Sequence, residues 1–380
     1  MVLWTVNCIL SFLLCVFCAG IVIPQILLVA YRKKLFDVPD ERKIHQCVVP
    51  RLGGIAFKPV IFFTIALLAG INLSLGHSEI LCALEGNAHA LLYGYCAVLL
   101  LYLTGMTDDL VGVKYRAKFV IQILCGVMLL AGGVWLNDFH GILWLHEIPV
   151  WVSCPLTILL VVFIINAINL IDGIDGLASG LCGIAFLFYG LTFFALQQYI
   201  YAMLAFATLG VLVPFFYYNV FGNPEKHKKI FMGDTGSLTI GIILCLLSIK
   251  LTTCDVSPYT TINPIVLAFS PLFVPCCDVV RVYLHRVKNG KNPFLPDKNH
   301  IHHKLLAIGM RQRMAMITIV LVSIFFTLFN IVLSYFEVNV NLILVCDLLI
   351  WIVANIILTR RIVSKKAKNI ESEIRSSRNG

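Results

Sequence analysis

The chain has 380 residues, of which 59% are hydrophobic and 13% are charged, and its mean hydropathy is +0.91. A water-soluble domain has no use for so much apolar surface. The composition therefore excludes the soluble globular classes and indicates a polytopic helical membrane protein. The formal net charge is +9, and the 29 Lys and Arg residues are concentrated in certain loops.

Eleven hydrophobic segments predict transmembrane helices, since one bilayer crossing takes about 20 residues. In chain order the predicted spans are 2–30, 54–76, 88–106, 117–136, 150–169, 177–195, 200–221, 236–251, 263–281, 314–336 and 340–358. The first span has no basic segment before it, which favours an uncleaved anchor over a signal peptide. We expect an all-α, polytopic transmembrane helical bundle with about 11 helices. It would form one membrane domain, 1–360, followed by a basic cytoplasmic tail, 361–380.

Loops that contain Lys or Arg alternate with loops that contain none. Lys and Arg residues fill the first, third, seventh and ninth loops, whereas loops 77–87, 137–149 and 252–263 contain none. By the positive-inside rule the basic loops are cytoplasmic, the N-terminus is outside and the C-terminal tail is inside. An odd number of spans also requires opposite termini, so the span count and the charge pattern agree.

Three acidic clusters lie at the predicted cytoplasmic ends of these spans. They are Asp108 and Asp109 after the third span, Asn169, Asp172 and Asp175 between the fifth and sixth, and Asp234 at the start of the eighth. A charged residue at mid-bilayer costs roughly 2.5–3.5 kcal/mol on insertion scales, so such residues tend to be functional. Five Asp residues at one membrane face indicate a divalent cation that holds a phosphorylated substrate. Oxygen ligands of this type suit Mg²⁺ or Mn²⁺.

Two of the three clusters also have a structural alternative. Two adjacent acids such as Asp108 and Asp109 form a solvated loop pair in many proteins, although their mutual repulsion also suits one of them to a base role. Asp234 fits an ordinary helix cap. Asn169, Asp172 and Asp175 are three residues apart, so a helical turn would stack them on one face. No basic residue lies near them in sequence to pair with these acids.

Three histidines, His300, His302 and His303, occur within four residues of the ninth loop. Zinc binding ranks below phosphate contact, because the run has no Cys and no helical i, i+4 His pair. Imidazole groups in a flexible loop can neutralise a pyrophosphate as charge develops on a leaving group. A solvated loop is the alternative.

These residues together resemble the polyprenyl-phosphate N-acetylhexosamine-1-phosphate transferase family, whose wider relatives include the phospho-MurNAc-pentapeptide transferases. The resemblance covers nearly the whole chain, from the first basic loop to the histidine run. It depends most on residues 166–178 and 231–237, which are specific in combination. The family carries eleven helices with active-site loops on the cytoplasmic side, as the charge pattern also predicts.

The resemblance implies roles for individual residues. Implied catalytic residues are Asp108, Asp109, Asp172, His300, His302 and His303, with Asp108 as the favoured base or phosphate-activating acid. Implied substrate-binding residues are Asn169, Asp175, Asn219, Phe231, Lys118 and Lys43, with Asn219 and Phe231 near the uracil ring. Implied metal ligands are Asp234, Asn169 and Asp172, with Mg²⁺ as the cofactor and Mn²⁺ as the alternative.

The implied reaction converts a UDP-N-acetylhexosamine and undecaprenyl phosphate into polyprenyl-diphospho-sugar and UMP. We expect transfer of GlcNAc-1-phosphate, at the start of cell-surface polysaccharide synthesis, by a multi-pass protein of the cell inner membrane. Expected partners are the two substrates and the lipid bilayer, without nucleic acid, and a homodimer is left open. Direct attack of the lipid phosphate is favoured, while a covalent route through Asp108 or Asp109 stays open.

Two other functions remain as alternatives. One is transfer of a muramoyl-pentapeptide phosphate by a phospho-MurNAc-pentapeptide transferase. The other is cation-coupled transport, because intramembrane carboxylates also serve ion paths. Transport needs charges near mid-membrane that are accessible from both sides, whereas here they gather at one end. The sequence also shows no internal repeat of the kind that many transporters carry.

Overall fold

The computed structural model describes residues 1–35, 49–257, 259–290 and 299–378, with side chains described as far as Lys365. Within these ranges the regular structure is helical apart from one isolated bridge. The α-helices in the described ranges are α1 Val2–Lys33, α2 Phe57–Ser74, α3 Ser78–Gly86, α4 Ala88–Val111, α5 Tyr115–Ala131, α6 Val150–Ile171, α7 Leu177–Ala195, α8 Tyr199–Val220, α9 Gly233–Thr252, α10 Pro264–Phe269, α11 Phe273–Lys288, α12 Ile301–Ile308, α13 Gln312–Tyr335 and α14 Val340–Arg378.

Helix α9 lies at the centre of the bundle. Buried residues make up 94% of its most apolar stretch, against 22% for α1 and for α14. No charged residue lies between Asp234 and Lys250, so α9 is apolar on every side, as a fully enclosed helix must be. It packs mainly against α4 and α6. The centre of the bundle therefore carries Asp234 at one end.

Ten helical segments of the described ranges are long and apolar enough to span a membrane, and one of them, Pro264–Lys288, comprises α10 and α11 together. The predicted fourth span corresponds to α5, which has 17 residues and does not reach that length. At 1.5 Å per residue, α5 is about 25 Å long. Helix α5 still crosses the bundle. It begins at the side where α4 ends, and α6, which follows it, begins at the other side and ends at the same side as α4. The following residues complete the crossing, and Leu136 N donates to Thr157 Oγ1 of α6 at 3.0 Å. The predicted fold class, a polytopic helical membrane bundle, is confirmed.

One end of the bundle, here named the carboxylate end, is defined by Asp108, Asp172 and Asp234. Helices α4, α6 and α8 end there, and α5, α7 and α9 begin there. The loops at the opposite end contain no Lys or Arg: they are 75–87, 132–149, 196–198, 253–263 and 336–339. The loops without Lys and Arg thus lie together at one end of the bundle, opposite the carboxylate end. Helix α14 continues unbroken to Arg378, so the predicted tail begins within a helix.

Candidate active site

Three carboxylates meet at the carboxylate end, where α4 ends and α9 begins. One oxygen from each of Asp108, Asp109 and Asp234 lies within 4.8 Å of the others. The Lys118 ammonium, from the first turn of α5, donates to Asp108 Oδ2 at 2.7 Å and to Asp234 Oδ2 at 2.5 Å. Three carboxylates beside one ammonium leave excess negative charge, and carboxylate oxygens are ligands that Mg²⁺ prefers. The cluster can therefore hold a divalent cation.

Asp109 caps the N-terminus of α9 from a neighbouring helix. Its Oδ1 accepts from Asp234 N at 2.8 Å, and its Oδ2 accepts from Thr235 N at 2.9 Å and from Thr235 Oγ1 at 2.6 Å. The first amides of a helix have no partner within it, and the helix dipole also favours a negative charge there. Asp109 thus fixes the position of Asp234, while Asp108 is bound to Lys118. The two neighbouring acids have different surroundings.

Two glycines allow this close approach of helices. A Cβ atom on Gly105 of α4 would lie 2.5 Å from Thr235 Cα, and one on Gly54 would lie 2.0 Å from Gly236 N. Both contacts are with the α9 backbone, which cannot move aside as a side chain would. The first turn of α9 is therefore held on two sides, and with it the carboxylate of Asp234.

Residues 166–176 do not form one helical face. Helix α6 ends immediately before Asp172, which has a ψ angle of 56°, and Gly176 precedes α7 with a φ angle of 77°. Of the three predicted residues only Asn169 is helical. The predicted stacking of Asn169, Asp172 and Asp175 on one face is therefore wrong, because the glycine-containing turns end one helix and begin the next.

Asn169 and Asp172 have separate relations to the carboxylate cluster. Asn169 Nδ2 donates to Asp234 Oδ1 at 3.2 Å and to Ser237 Oγ at 2.8 Å, so it supports the carboxylate of Asp234. Asp172 is exposed and interacts electrostatically with Asp234. Among the acids of the described residues, the cluster that could hold a metal consists of Asp108, Asp109 and Asp234. It shares Asp234 with the predicted ligand set of Asp234, Asn169 and Asp172, and Asp172 is not part of it.

Asp175 is paired with a lysine from a different loop. The Lys229 ammonium donates to Asp175 Oδ2 at 2.5 Å, and both side chains are nearly buried. The same ammonium lies 5.9 Å from the centre of the Phe231 ring, which is half-buried. The sequence shows no basic residue near Asp175, because the partner is 54 residues away in the chain. Asp175 and Phe231, both predicted to bind substrate, are thus brought together by Lys229.

Asn219 is buried, and both ends of its amide bind backbone groups. Its Oδ1 accepts from Gly176 N at 2.6 Å, and its Nδ2 donates to Ile230 O at 2.8 Å. The side chain therefore joins the turn before α7 to the segment before α9. This is a bracing contact beside Phe231 rather than an open polar surface. Lys43, also predicted to bind substrate, lies outside the described residues.

The three histidines begin helix α12. His300 precedes its first residue, and His302 and His303 lie in its first turn. His300 is 5% exposed and His302 is 1% exposed, so the expected flexible loop is wrong for these residues. A Cβ atom on Gly173 would lie 2.3 Å from His302 Nε2, which shows that α12 packs directly against the turn that carries Asp172. The histidines therefore reach the carboxylate end by tertiary packing.

Burial of His302 predicts a pH effect on stability. Burial, together with the neighbouring rings of His303 and His300, lowers the pKa of His302 to about 3. An unfolded histidine has a pKa of about 6.5, so between these values the unfolded state binds a proton that the folded state does not. The free energy of unfolding should consequently fall as the pH decreases below about 6.5.

The His302→Gln variant isolates this effect, because Gln has no titrating group. We expect the wild-type unfolding midpoint to fall more than that of the variant between about pH 7.5 and about pH 5.5. Thermal unfolding of the purified protein in detergent measures both. An equal pH dependence of the two proteins would show that His302 is not held neutral by the fold.

Two basic residues at the site are not among the predicted site residues. Lys229 pairs with Asp175, and Arg51 interacts electrostatically with Asp172. The available signal was proximity to a motif, since Lys229 lies two residues before Phe231. Basic residues in cytoplasmic loops are common in membrane proteins, so that signal is weak.

Comparisons with known proteins agree with this geometry. The sequence profile of glycosyl transferase family 4 matches residues 91–252, which include the site from Asp108 to Ser237. A relative from Bacillus subtilis (strain 168) is named a probable undecaprenyl-phosphate N-acetylglucosaminyl 1-phosphate transferase. It is 30% identical over 348 residues, or 91% of this chain and 90% of the relative.

Enterobacterial relatives carry a similar name, undecaprenyl-phosphate alpha-N-acetylglucosaminyl 1-phosphate transferase. The protein of Salmonella typhi is 31% identical over 78% of this chain and 75% of its own length. The protein of Escherichia coli (strain K12) is 29% identical over 81% of this chain and 78% of its own length. The likeness thus extends over most of both chains and includes the acidic site. The chain belongs to glycosyl transferase family 4.

Proposed function

We propose that this protein transfers GlcNAc-1-phosphate from UDP-GlcNAc to undecaprenyl phosphate and releases UMP. The observation that carries the proposal is the cluster of Asp108, Asp109 and Asp234 at one end of a membrane bundle. A water-soluble diphosphate and a lipid phosphate can both reach a site at that position. The names of the relatives supply the identity of the two substrates.

The transfer is a phosphoryl transfer. An oxygen of the lipid phosphate attacks the phosphorus that bears the sugar, the bond from this phosphorus to the oxygen of UMP breaks, and UMP leaves. Positioning and charge neutralisation supply most of the catalysis in reactions of this type. Asp108 is proposed to hold the lipid phosphate in its reactive ionised form. His300, His302 and His303 are proposed to stabilise the departing UMP by hydrogen bonds.

Mg²⁺ is the proposed cofactor, and the donor set fits it. Asp108 and Asp234 would hold the cation, which supplies neutralisation of the diphosphate charge. Asp109 would fix Asp234 through its contacts with the start of α9. Lys118 donates to both Asp108 and Asp234 and would keep the two carboxylates oriented.

The nucleotide end of the site is proposed at Asp175 and Phe231, where Asn219 braces the surrounding backbone, with Asp172 between this end and the cation. Lys43 remains a predicted substrate-binding residue. We further propose that the membrane domain covers 1–360, that it lies in the cell inner membrane, and that the carboxylate end faces the cytoplasm. The absence of Lys and Arg from the loops at the other end supports this orientation.

One experiment tests the reaction and the orientation together. Membrane vesicles that contain the protein receive UDP-GlcNAc, undecaprenyl phosphate and Mg²⁺, and released UMP is measured. Inside-out vesicles should form UMP from external UDP-GlcNAc, and sealed right-side-out vesicles should not. EDTA should stop the reaction and excess Mg²⁺ should restore it. If UDP-GlcNAc yields no UMP in detergent, or another UDP-sugar is strongly preferred, the proposed substrate is wrong.

A further inference from the structure

The helix that carries the histidines is attached to the bundle by a buried carboxylate, Asp278 of α11. Its side chain is fully buried. Asp278 Oδ2 lies 2.8 Å from His300 Nδ1, and both carboxylate oxygens accept from Ile301 N, at 3.1 and 3.2 Å. A carboxylate accepts hydrogen bonds, so the Nδ1 of His300 carries the proton in this contact. Asp278 thus binds one histidine and caps the first residue of α12.

Arg281, one turn further along α11, completes the attachment. Its Nη2 donates to Asp278 Oδ1 at 2.6 Å and to Asn299 O at 2.6 Å. Together Asp278 and Arg281 bind three consecutive residues: Arg281 binds the carbonyl of Asn299, and Asp278 binds the ring of His300 and the amide of Ile301. A buried carboxylate is costly unless it is paired and hydrogen-bonded. Much of the hydrogen bonding to the Asp278 carboxylate comes from the start of α12.

The orientation of His300 extends to the next two histidines. The rings of His300 and His302 are parallel within 3°, with centres 5.8 Å apart, and the ring of His303 lies 4.2 Å from that of His302. A rotation of His300 would therefore disturb the whole group. With Nδ1 bound to Asp278, the Nε2 of His300 is the ring nitrogen left for other contacts.

We propose that Asp278 is the positioning residue of the histidine group, which it orients through the Nδ1 of His300 and the first amide of α12. The proposal rests on the proposed function, in which the histidines act on the departing UMP. Asp278 does not contact substrate in it. Arg281 reinforces Asp278 by holding the preceding carbonyl.

The test compares Asp278→Asn with His300→Ala and with the double variant, in detergent-purified protein. Asp278→Asn should lower kcat for UMP release by about 10²-fold, as loss of an oriented hydrogen-bonding group does, with little change in KM for UDP-GlcNAc. In the His300→Ala background the same change should lower kcat by less than about tenfold, because only the contact of Asp278 with the first amide of α12 is then lost. Asp347→Asn is the matched control, since Asp347 is also buried and accepts a hydrogen bond from Asn330 within the bundle. Its kcat should stay within about threefold of wild type.

Arg281→Met is a second variant, to be used if Asp278→Asn does not accumulate in the membrane. Its loss of kcat should likewise be smaller in the His300→Ala background than in wild type. A readout independent of activity is hydrogen exchange of the backbone amides in 299–308, which should quicken in Asp278→Asn and not in Asp347→Asn. Quickened exchange with no UMP formation by wild type would retain the positioning role and reject the proposed function. Equal kcat losses in the wild-type and His300→Ala backgrounds, or unchanged exchange, would overturn the positioning role.

Discussion

Asp234→Asn should lower the rate of UMP release by at least about 10³-fold at ordinary Mg²⁺. The Asp234 carboxylate accepts hydrogen bonds from Lys118 and Asn169 and lies in the cluster that could hold a cation. Asn preserves the shape of the side chain and removes its charge. The backbone contacts of Asp109 with the start of α9 remain possible in the variant, so the site should keep its form and lose its affinity for the cation.

The measurement is the initial rate of UMP formation by purified protein across a series of Mg²⁺ concentrations. Asp255→Asn is the control, because Asp255 binds Ser257 in a loop at the opposite end of the bundle. Its rate should lie within about twofold of wild type, as for most surface changes. A near-normal rate for Asp234→Asn would reject the metal role of this residue. Asp108→Asn is expected to be comparably damaging, since Asp108 shares Lys118 with Asp234.

Gly173→Ala should lower turnover by about 10²-fold, because the new Cβ atom occupies the position against which His302 packs. That atom would lie 2.3 Å from His302 Nε2 and 2.5 Å from its Cε1. His302 is 1% exposed, so the ring cannot move outward without disturbing α12. The change introduces no charge and removes no carboxylate. Its effect would therefore report the packing of this turn against His302.

The test is a comparison of Gly173→Ala, His302→Ala and the double variant by kcat for UMP release. His302→Ala should cost a similar factor, and the double variant should be no slower than either single variant, since the small Ala side chain relieves the contact. Gly183→Ala in α7 is the matched control, because its Cβ atom would meet Leu209 at an ordinary 3.7 Å. Full activity of His302→Ala would show that His302 has no part in catalysis, and full activity of Gly173→Ala would show that its placement against Gly173 is not required.

Much of the membrane architecture could be predicted from the sequence because it depends on local properties. A long apolar segment specifies a transmembrane helix wherever it lies in the fold. The predicted spans correspond to helical segments, and the span that falls short of a full crossing, α5, is where the apolar segment has Gly132 and Gly133 near its end. The basic loops lie at the same end of the bundle as the acidic clusters, because helices of similar length alternate in direction.

The chemical type of the candidate site could also be predicted from residue types. Acids at helix ends next to apolar segments are costly, which is why Asp108, Asp172 and Asp234 were informative without a structure. Sequence spacing failed where a turn replaced a helix. Asp172 and Asp175 are three residues apart, and the glycine-containing turns between α6 and α7 separate their surroundings.

By itself, the sequence determined that this protein is a helical membrane bundle with acids and histidines gathered at its basic end. Only the tertiary structure decided which groups meet. Asp109 caps α9 across 125 residues of chain, Lys229 pairs with Asp175 across 54, and Asp278 binds His300 across 22. Contacts between distant residues depend on how whole helices pack, and no local spacing encodes them. Hydrophobicity acts on each segment separately, whereas a hydrogen bond needs two partners at about 3 Å, which packing alone provides.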